Sequence, residues 1–139
     1  MEISNQFFLP EEYKEHFYVE DFLEIEDGYK LIIYEKKELI PEPLRGKEVV
    51  SNGFCNKLEL VDHPMKAKLM YLEFHRRRWK EKGSQKSFSN TYTTLHPDGC
   101  KLTQGFGDFL KGLTRQELID LCSVIRGLED VCKENQLLV

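Results

Sequence analysis

The sequence predicts an α+β domain, in which an antiparallel β-sheet with a projecting basic β-hairpin is followed by two C-terminal helices. Aromatic and β-branched residues alternate with polar residues over much of residues 1–100, as in half-buried strands. Beyond residue 101, apolar residues recur every three or four positions, which is the spacing of one helix face. The 139 residues are the usual length of one domain, so we expect a single domain over 1–139, mainly sheet over 1–100 and helical over 101–136.

The first predicted elements are a short helical turn and a β-hairpin. The turn, over 10–17, begins with proline and two glutamates, which suit the start of a helix. Residues 18–25 and 29–35 are strands joined through Asp27-Gly28, and Asp-Gly between such segments is a strong hairpin signal. Residues 40–47 hold two prolines and a glycine, so they predict a surface connection.

Further strands are predicted at 49–50 and 57–61, the second ending at His63-Pro64. Residues 66–79 form the longest strand candidate, because apolar residues alternate along its first half before it becomes cationic. Gly83-Ser84 predicts a turn, and residues 87–95 predict the returning strand. The basic segment therefore lies at the tip of a hairpin.

That segment, HRRRWKEKGSQK at residues 75–86, holds six Lys or Arg residues and one Glu in a chain with a formal net charge of −4. Residues 1–44 hold twelve acidic and four basic side chains, whereas residues 45–139 hold twelve acidic and sixteen basic. Such an asymmetry indicates something about partners rather than about the fold.

A basic hairpin beside an aromatic side chain is suited to nucleic acid, because each phosphate neutralised by Lys or Arg releases bound counterions. The residues we expect to contact DNA are Arg76, Arg77, Arg78, Trp79, Lys80, Lys82, Lys86 and Lys101. The same charges also fit a solvated hairpin tip whose arginines pair with carboxylates of the acidic half. A third interpretation is the binding of an acidic protein or of a second copy of the chain.

Two helices are predicted at the C-terminal end. Thr103 can cap the first, whose apolar face would hold Phe106, Phe109, Leu110 and Leu113. Thr114 and Glu117 have the spacing of a capping box at the start of the second. Its apolar stripe either covers the protein's own sheet or forms a homodimer seam, and it consists of Leu118, Leu121, Ile125, Leu128 and Cys132.

The order of RRRW, a hairpin containing Gly and Lys, the strand SFSNTYTTL and the helix KLTQGFGDFLKGL resembles the N-terminal region of bacterial insertion-sequence transposases of the Aon type, related to the ISL-three group. The resemblance covers about residues 9–113. Asn90-Thr91-Tyr92 stands where the family has Arg-Asp-Trp, and Gly105 and Gly107 replace acidic and alanine residues. The matching positions are Arg76, Arg77, Arg78, Trp79, Lys86, Ser89, Leu102, Thr103, Phe106, Phe109, Leu110 and Lys111.

The resemblance implies a DNA-binding region that recognises the terminal inverted repeats of a mobile element. Catalysis in such transposases belongs to a separate domain, whose carboxylates hold two divalent metals. We expect this chain to lack that domain, to have no enzymatic activity and no cofactor, and to work with a separately encoded catalytic domain. The alternative is a non-enzymatic regulatory or protein-interaction module that uses the charged hairpin and the amphipathic C-terminal helix.

Other functional classes find little support in the sequence. The four cysteines are widely spaced without a CxxC pair, which indicates reduced, mostly buried thiols rather than a zinc ribbon. His96 and Cys100 have the spacing of half a metal site, but no sequence feature brings further ligands to them. No apolar segment approaches the ~20 residues of a membrane span, so we expect a cytoplasmic protein with no membrane partner.

Overall fold

The computed structural model describes residues 4–95 and 101–138, and it confirms the α+β class. The strands within these residues are β1 (Phe17–Ile25), β2 (Gly28–Glu35), β3 (Val49–Phe54), β4 (Leu58–Met65), β5 (Lys68–His75), β6 (Arg77–Glu81) and β7 (Ser87–Phe88). The helices are α1 (Gln104–Lys111), α2 (Arg115–Val124) and α3 (Leu128–Glu134). Single 3₁₀ turns lie at Asn5–Phe8, Glu11–Tyr13, Glu42–Leu44 and Thr93–Leu95.

The strands form two sheets rather than the one expected. The large sheet has the order β1-β2-β5-β4, and the small sheet has the order β3-β6-β7. The predicted β1–β2 hairpin is confirmed, with Ile25 paired to Gly28. The central pair of the large sheet, β2 and β5, is parallel, while its other pairs are antiparallel. The sheets are therefore mainly but not wholly antiparallel.

Gly28 makes the close parallel pairing possible, since it faces Leu69 at the start of the β2–β5 register. A Cβ atom on Gly28 would lie 2.3 Å from the carbonyl oxygen of Leu69, well inside van der Waals contact. Any other residue would push the two strands apart at this point.

Each face of the large sheet carries its own apolar core. Adjacent residues of β5 alternate between them, so Met70 belongs to one core and Leu69 to the other. The first core is covered by the N-terminal 3₁₀ turns and includes Leu9, Tyr13, Phe17, Leu31, Ile33, Leu72 and Phe74. The second is covered by the C-terminal helices and includes Val61, Leu102, Phe106, Leu110, Leu118, Ile125, Leu128 and Cys132.

The predicted long strand over 66–79 is divided at Arg76. Its first part, β5, is central in the large sheet, and its second part, β6, is central in the small sheet. The chain leaves the large sheet here because β6 pairs with β3 on one side and β7 on the other. The change from apolar to cationic residues thus marks the passage from one sheet to the other.

Several strand boundaries differ from the prediction, among them the end of β3, which was expected at residue 50 and lies at Phe54. β4 continues through Pro64 to Met65, with an irregular register after Asp62, because β4 is an edge strand in which a missing N–H is tolerated. The returning strand of the basic hairpin is only β7, two residues long, where 87–95 was expected. The following residues leave the small sheet and return to the first core through the buried Leu95. The predicted turn at His96-Pro97-Asp98-Gly99 lies outside the described residues.

The helical region holds three helices where two were predicted. Thr103 caps α1, and both bonds of the capping box between Thr114 and Glu117 are present at α2. The predicted second helix is divided because Gly127 adopts φ 86°, in the left-handed region, between α2 and α3. Most of its apolar stripe nevertheless packs against the large sheet. This agrees with the interpretation that the stripe covers the protein's own sheet.

Phe109 was expected on the buried face of α1, but its side chain is 48% exposed. Phe106 and Leu110, one turn apart, define that face, and Phe109 lies at its edge near the ring of His63, 6.0 Å between centroids. None of the helices in the described part of the chain is long and apolar enough to cross a membrane.

Candidate nucleic-acid interface

β6 distributes the basic segment over both faces of the small sheet. Val50, Lys80 and Ser87 are cross-strand partners, so their side chains share one face, and Arg78 shares it by alternation along β6. Arg77 and Trp79 lie on the opposite face, with Trp79 next to Phe88. We call the face that carries Arg78 and Lys80 the basic face.

The charges of the basic face are not neutralised within the described part of the chain. Neither Arg78, which is exposed, nor Lys80, which is half-buried, has a carboxylate oxygen within 4.0 Å among residues 4–95 and 101–138. By contrast, the lysines on the large sheet are paired: Lys30 lies 3.3 Å from Glu59, and Lys57 lies 3.3 Å from Glu73. Arg78 and Lys80 therefore present unpaired positive charge together on one face of the small sheet.

Two further lysines lie at the turn between β6 and β7, which is closed by a hydrogen bond from the Ser84 N–H to the Glu81 carbonyl. Lys82 lies 3.4 Å from Glu48, but both side chains are exposed, and such a pair contributes little. The ammonium of Lys86 lies over the ring of Phe88, 5.2 Å from its centre. Both cations remain accessible to a ligand.

Arg77 is held by the large sheet. Its Nε donates to the backbone carbonyl of Glu35 at 2.7 Å, and its guanidinium donates to the Tyr18 hydroxyl at 3.3 Å. Arg76 lies between the strands, where its Nε is buried, as is the indole Nε1 of Trp79. Neither of these two nitrogens has a hydrogen-bond partner within the described residues. Arg77 is thus tied to the protein by its side chain, whereas Arg76 and Trp79 each carry a buried nitrogen without such a bond.

Glu35 organises this junction between the sheets. Its side chain is fully buried, and its carboxylate accepts hydrogen bonds from the Arg77 N–H at 2.8 Å, the Asn90 amide at 3.1 Å and the Tyr92 hydroxyl. Burial, followed by this bond to Glu35, raises the pKa of Tyr92 above its ordinary value. Asn90 also donates to the carbonyl of Leu39 at 2.7 Å. Glu35 thereby binds both the residue that begins β6, Arg77, and two residues that follow β7, Asn90 and Tyr92.

Glu35 was not among the predicted site residues, although the sequence carries one signal for it. Leu31, Ile33 and Glu35 occupy alternate positions of β2, so a carboxylate falls on a face that is otherwise buried. A carboxylate on such a face requires hydrogen-bond donors. Its donors could not be named from the sequence, because they come from distant segments of the chain.

Lys101 does not lie with the other predicted contact residues. Its N–H donates to the side chain of Asn135 at 2.8 Å, and its carbonyl accepts from the Val61 N–H at 2.9 Å, which places it between β4 and α3. It lines a cleft of about 650 Å³ that contains none of the β6 residues. The carboxylates of this cleft are those of Asp27, Glu59, Asp130 and Glu134.

An aromatic cluster lies where the two sheets meet. The rings of Tyr34 and Phe54 have centroids 5.6 Å apart and are inclined by 27°, and His75 contacts Tyr34 edge-on at 5.1 Å. The Arg77 guanidinium lies 5.3 Å from the Phe54 ring centre and 6.0 Å from that of Tyr34. Tyr18 completes the cluster beside Tyr34 at 6.2 Å. We call these five side chains the aromatic surface.

Next to the aromatic surface, Glu73 forms an ionic cluster. Its carboxylate lies 2.8 Å from His75 Nε2 and 3.3 Å from Lys57 Nζ. Burial raises the pKa of Glu73, but the bonds from these two partners more than offset it and hold the pKa below its ordinary value. His75 is thus oriented between the carboxylate and the aromatic rings.

No group of three or more His, Cys, Asp or Glu side chains within residues 4–95 and 101–138 is arranged to hold a metal ion. His96 and Cys100, considered as half of a metal site, lie outside the described residues. Of the other cysteines, Cys132 is buried, while Cys55 and Cys122 are half-buried.

The small sheet therefore carries a basic face. It adjoins the large sheet, which has an apolar core on each of its two faces. No protein-family model, curated protein or solved structure matches the chain. The resemblance to transposases rests on the sequence motifs alone, and it enters the functional argument as a hypothesis.

Proposed function

We propose that this chain is a non-catalytic DNA-binding region and that the basic face of the small sheet binds the phosphates of a duplex. The observation that carries the proposal is the pair Arg78 and Lys80, which share one face of β6 and lack carboxylate partners within the described residues. Phosphate oxygens would replace the water that now solvates these two cations.

The antiparallel pair β6 and β7, joined by the basic turn, supports binding in a groove. A narrow antiparallel ribbon fits the major groove of B-DNA, where an arginine can donate two hydrogen bonds to guanine. Lys82 and Lys86, at the turn that ends the ribbon, would extend the contact along the phosphate backbone. Arg78 is the residue of this set that is suited to bind either a phosphate or a base edge.

Arg76, Arg77 and Trp79 have a different role in this proposal. The bonds of Arg77 to Glu35 and Tyr18, together with the partial burial of Arg76 and Trp79, orient the start of β6. Their contribution is to fix the angle at which the small sheet leaves the large one. The motif RRRW would then combine two positioning arginines with one arginine that contacts DNA.

The resemblance to insertion-sequence transposases specifies the ligand as the terminal inverted repeat of the element. Strand cleavage and transfer would be performed by a separate catalytic domain, bound as a partner. This chain would supply recognition and no catalysis.

The test is fluorescence anisotropy of a labelled duplex carrying the inverted repeat, compared with a scrambled duplex of equal length across a salt series. The double variant Arg78→Glu and Lys80→Glu should lose binding at least tenfold. The matched control, Lys111→Glu with Arg115→Glu on the exposed helices, should bind as the wild type does. Equal losses in both variants, or no binding by the wild type at low salt, would refute the proposal.

A second candidate function is protein interaction, favoured by exposed apolar side chains on the helical layer. Phe109 on α1 and Val124 at the end of α2 are 48% and 64% exposed. A homodimer or a separately encoded catalytic domain could cover them. Sedimentation of the wild type and of Val124→Lys distinguishes these cases, since a dimer formed through this layer should dissociate in the variant.

A further inference from the structure

We propose that the aromatic surface binds an unpaired nucleobase, in a single-stranded segment that continues from the duplex held on the basic face. This inference rests on the proposed function, because the basic face would place the nucleic acid beside it. The ligand class is a single strand carrying stacked bases and phosphates.

The exposure of the aromatic surface is the first observation. Phe54 is 43% exposed, and Tyr18, Tyr34 and His75 are each partly accessible. None of these four belongs to either apolar core of the described residues. A contiguous patch of accessible aromatic side chains is a feature of interaction sites.

The positive charge of Arg77 favours a negatively charged ligand over a cation at the aromatic surface. Arg77 already supplies a cation beside Tyr34 and Phe54, so a second cation, such as an ammonium ligand, would be repelled. Within residues 4–95 and 101–138, no carboxylate oxygen lies within 4.0 Å of the Arg77 guanidinium. A ligand that joins a flat π-system to a negative charge satisfies both the rings and the guanidinium, and a nucleotide is such a ligand.

The surface is also preorganised. Arg77 is fixed from one side by the carbonyl of Glu35 and from the other by the hydroxyl of Tyr18. His75 is fixed by Glu73 at 2.8 Å. Little side-chain freedom remains to be lost when a base stacks on these groups, which favours binding.

The aromatic surface and the basic face lie on opposite faces of the small sheet and both adjoin its edge strand, β3. Phe54 and Arg77 are cross-strand partners, and the register shift before Phe54 places Asn52 and Gly53 near Arg78. A Cβ atom at Gly53 would lie only 3.6 Å from the Arg78 guanidinium. Because β3 is an edge strand, a nucleic-acid strand can pass around it from one face to the other.

The experiment compares a blunt duplex with a duplex of the same length that carries a three-nucleotide single-stranded extension, both as labelled DNA in anisotropy titrations. The wild type should bind the extended duplex about 5-fold to 150-fold more tightly, which is the range expected for one stacked base. Phe54→Ala should lose this preference and retain its affinity for the blunt duplex. Phe7→Ala removes a ring that is 70% exposed elsewhere on the protein and should change neither affinity.

Phe54→Leu provides a second variant, since it keeps an apolar side chain but offers no ring face, and it should lose the preference as well. Thermal unfolding of each variant verifies that it is folded. Equal binding of both duplexes by the wild type, or an unchanged preference in folded Phe54→Ala, would overturn the inference while leaving the proposed function intact. If the wild type bound neither duplex at low salt, the proposed function would fail, and the inference with it.

Discussion

The buried carboxylate of Glu35, at the end of β2, accepts a hydrogen bond from the backbone N–H of Arg77, the first residue of β6, at 2.8 Å. The two residues belong to different sheets, and 42 positions of sequence separate them. This bond therefore determines where the basic strand leaves the large sheet. The stability of the junction and the orientation of the proposed DNA-binding face depend on the same carboxylate.

We expect Glu35→Ala to destabilise the protein by roughly 2–4 kcal/mol, because the substitution leaves the Arg77 N–H, the Asn90 amide and the Tyr92 hydroxyl without their acceptor. Urea unfolding followed by circular dichroism measures this loss. Glu38→Ala, at an exposed position of the following loop, is the matched control and should stay within about 0.5 kcal/mol of the wild type. Equal stabilities of the two variants would contradict the role assigned to Glu35.

Gly28→Ala should prevent the parallel pairing of β2 with β5, since its Cβ would lie 2.3 Å from the Leu69 carbonyl oxygen. We expect a loss of several kcal/mol, on the order of the largest single-residue effects, or failure to fold. Gly107→Ala is the control: its Cβ would lie 3.7 Å from the Leu102 Cβ, an ordinary contact, within helix α1. That variant should be as stable as the wild type or up to about 1 kcal/mol more stable. Thermal unfolding decides between the two expectations.

Salt dependence gives a direct count of the phosphate contacts. If Arg78, Lys80, Lys82 and Lys86 each neutralise one phosphate, log affinity should fall against log salt with a slope of about −3.6. Arg78→Ala should make that slope shallower by about 0.9. Arg115→Ala, on the exposed surface of α2, should leave it unchanged. A wild-type slope near zero would exclude the electrostatic mechanism.

Acid should weaken the protein partly through Glu73, whose folded-state pKa lies below its ordinary value of 4.5. A lowered pKa means that the ionised carboxylate adds stability above the unfolded pKa and that this stability is lost as the pH falls through the folded pKa. The difference in stability between the wild type and Glu73→Gln should therefore be largest near neutral pH and shrink below about pH 4.5. Lys57→Met removes a cation that lies 3.3 Å from the Glu73 carboxylate. In that background, the stability difference between the protein with Glu73 and its Glu73→Gln variant should depend less on pH. Parallel stability curves across this pH range would refute the prediction.

Cys132 should be protected from alkylation in the folded protein. Burial raises its pKa to about 12, so almost none of it is the reactive thiolate at neutral pH. Cys55, half-buried after β3, should react with iodoacetamide before Cys132. Mass spectrometry of partially alkylated protein, with and without denaturant, gives the order. Faster labelling of Cys132 than of Cys55 without denaturant would contradict the packing of α3 on the sheet.

The features predicted correctly are those whose causes lie close together in the chain. Asp27-Gly28 between two alternating segments was sufficient to predict the β1–β2 hairpin, and the spacing of Thr114 and Glu117 was sufficient to predict the start of α2. The concentration of positive charge after Phe74 was also visible from the sequence. Each depends on periodicity or on a hydrogen bond that spans only a few residues.

Tertiary contacts decided that the segment 66–79 is divided into two strands. They also decided which side chains meet at the aromatic surface. The alternation along 66–79 predicted one strand, but pairing with β3 and β7 turned its second half into another sheet. Phe54 meets Tyr34 and Arg77 only through this pairing, and Glu35 finds its donors in segments more than 40 positions away. By itself, the sequence determined where the cations are, the β1–β2 hairpin and the starts of α1 and α2, because these follow from local patterns. Only the tertiary structure decided which cations are tied to the protein and which are free to bind, because hydrogen-bond partners from distant segments settle that difference.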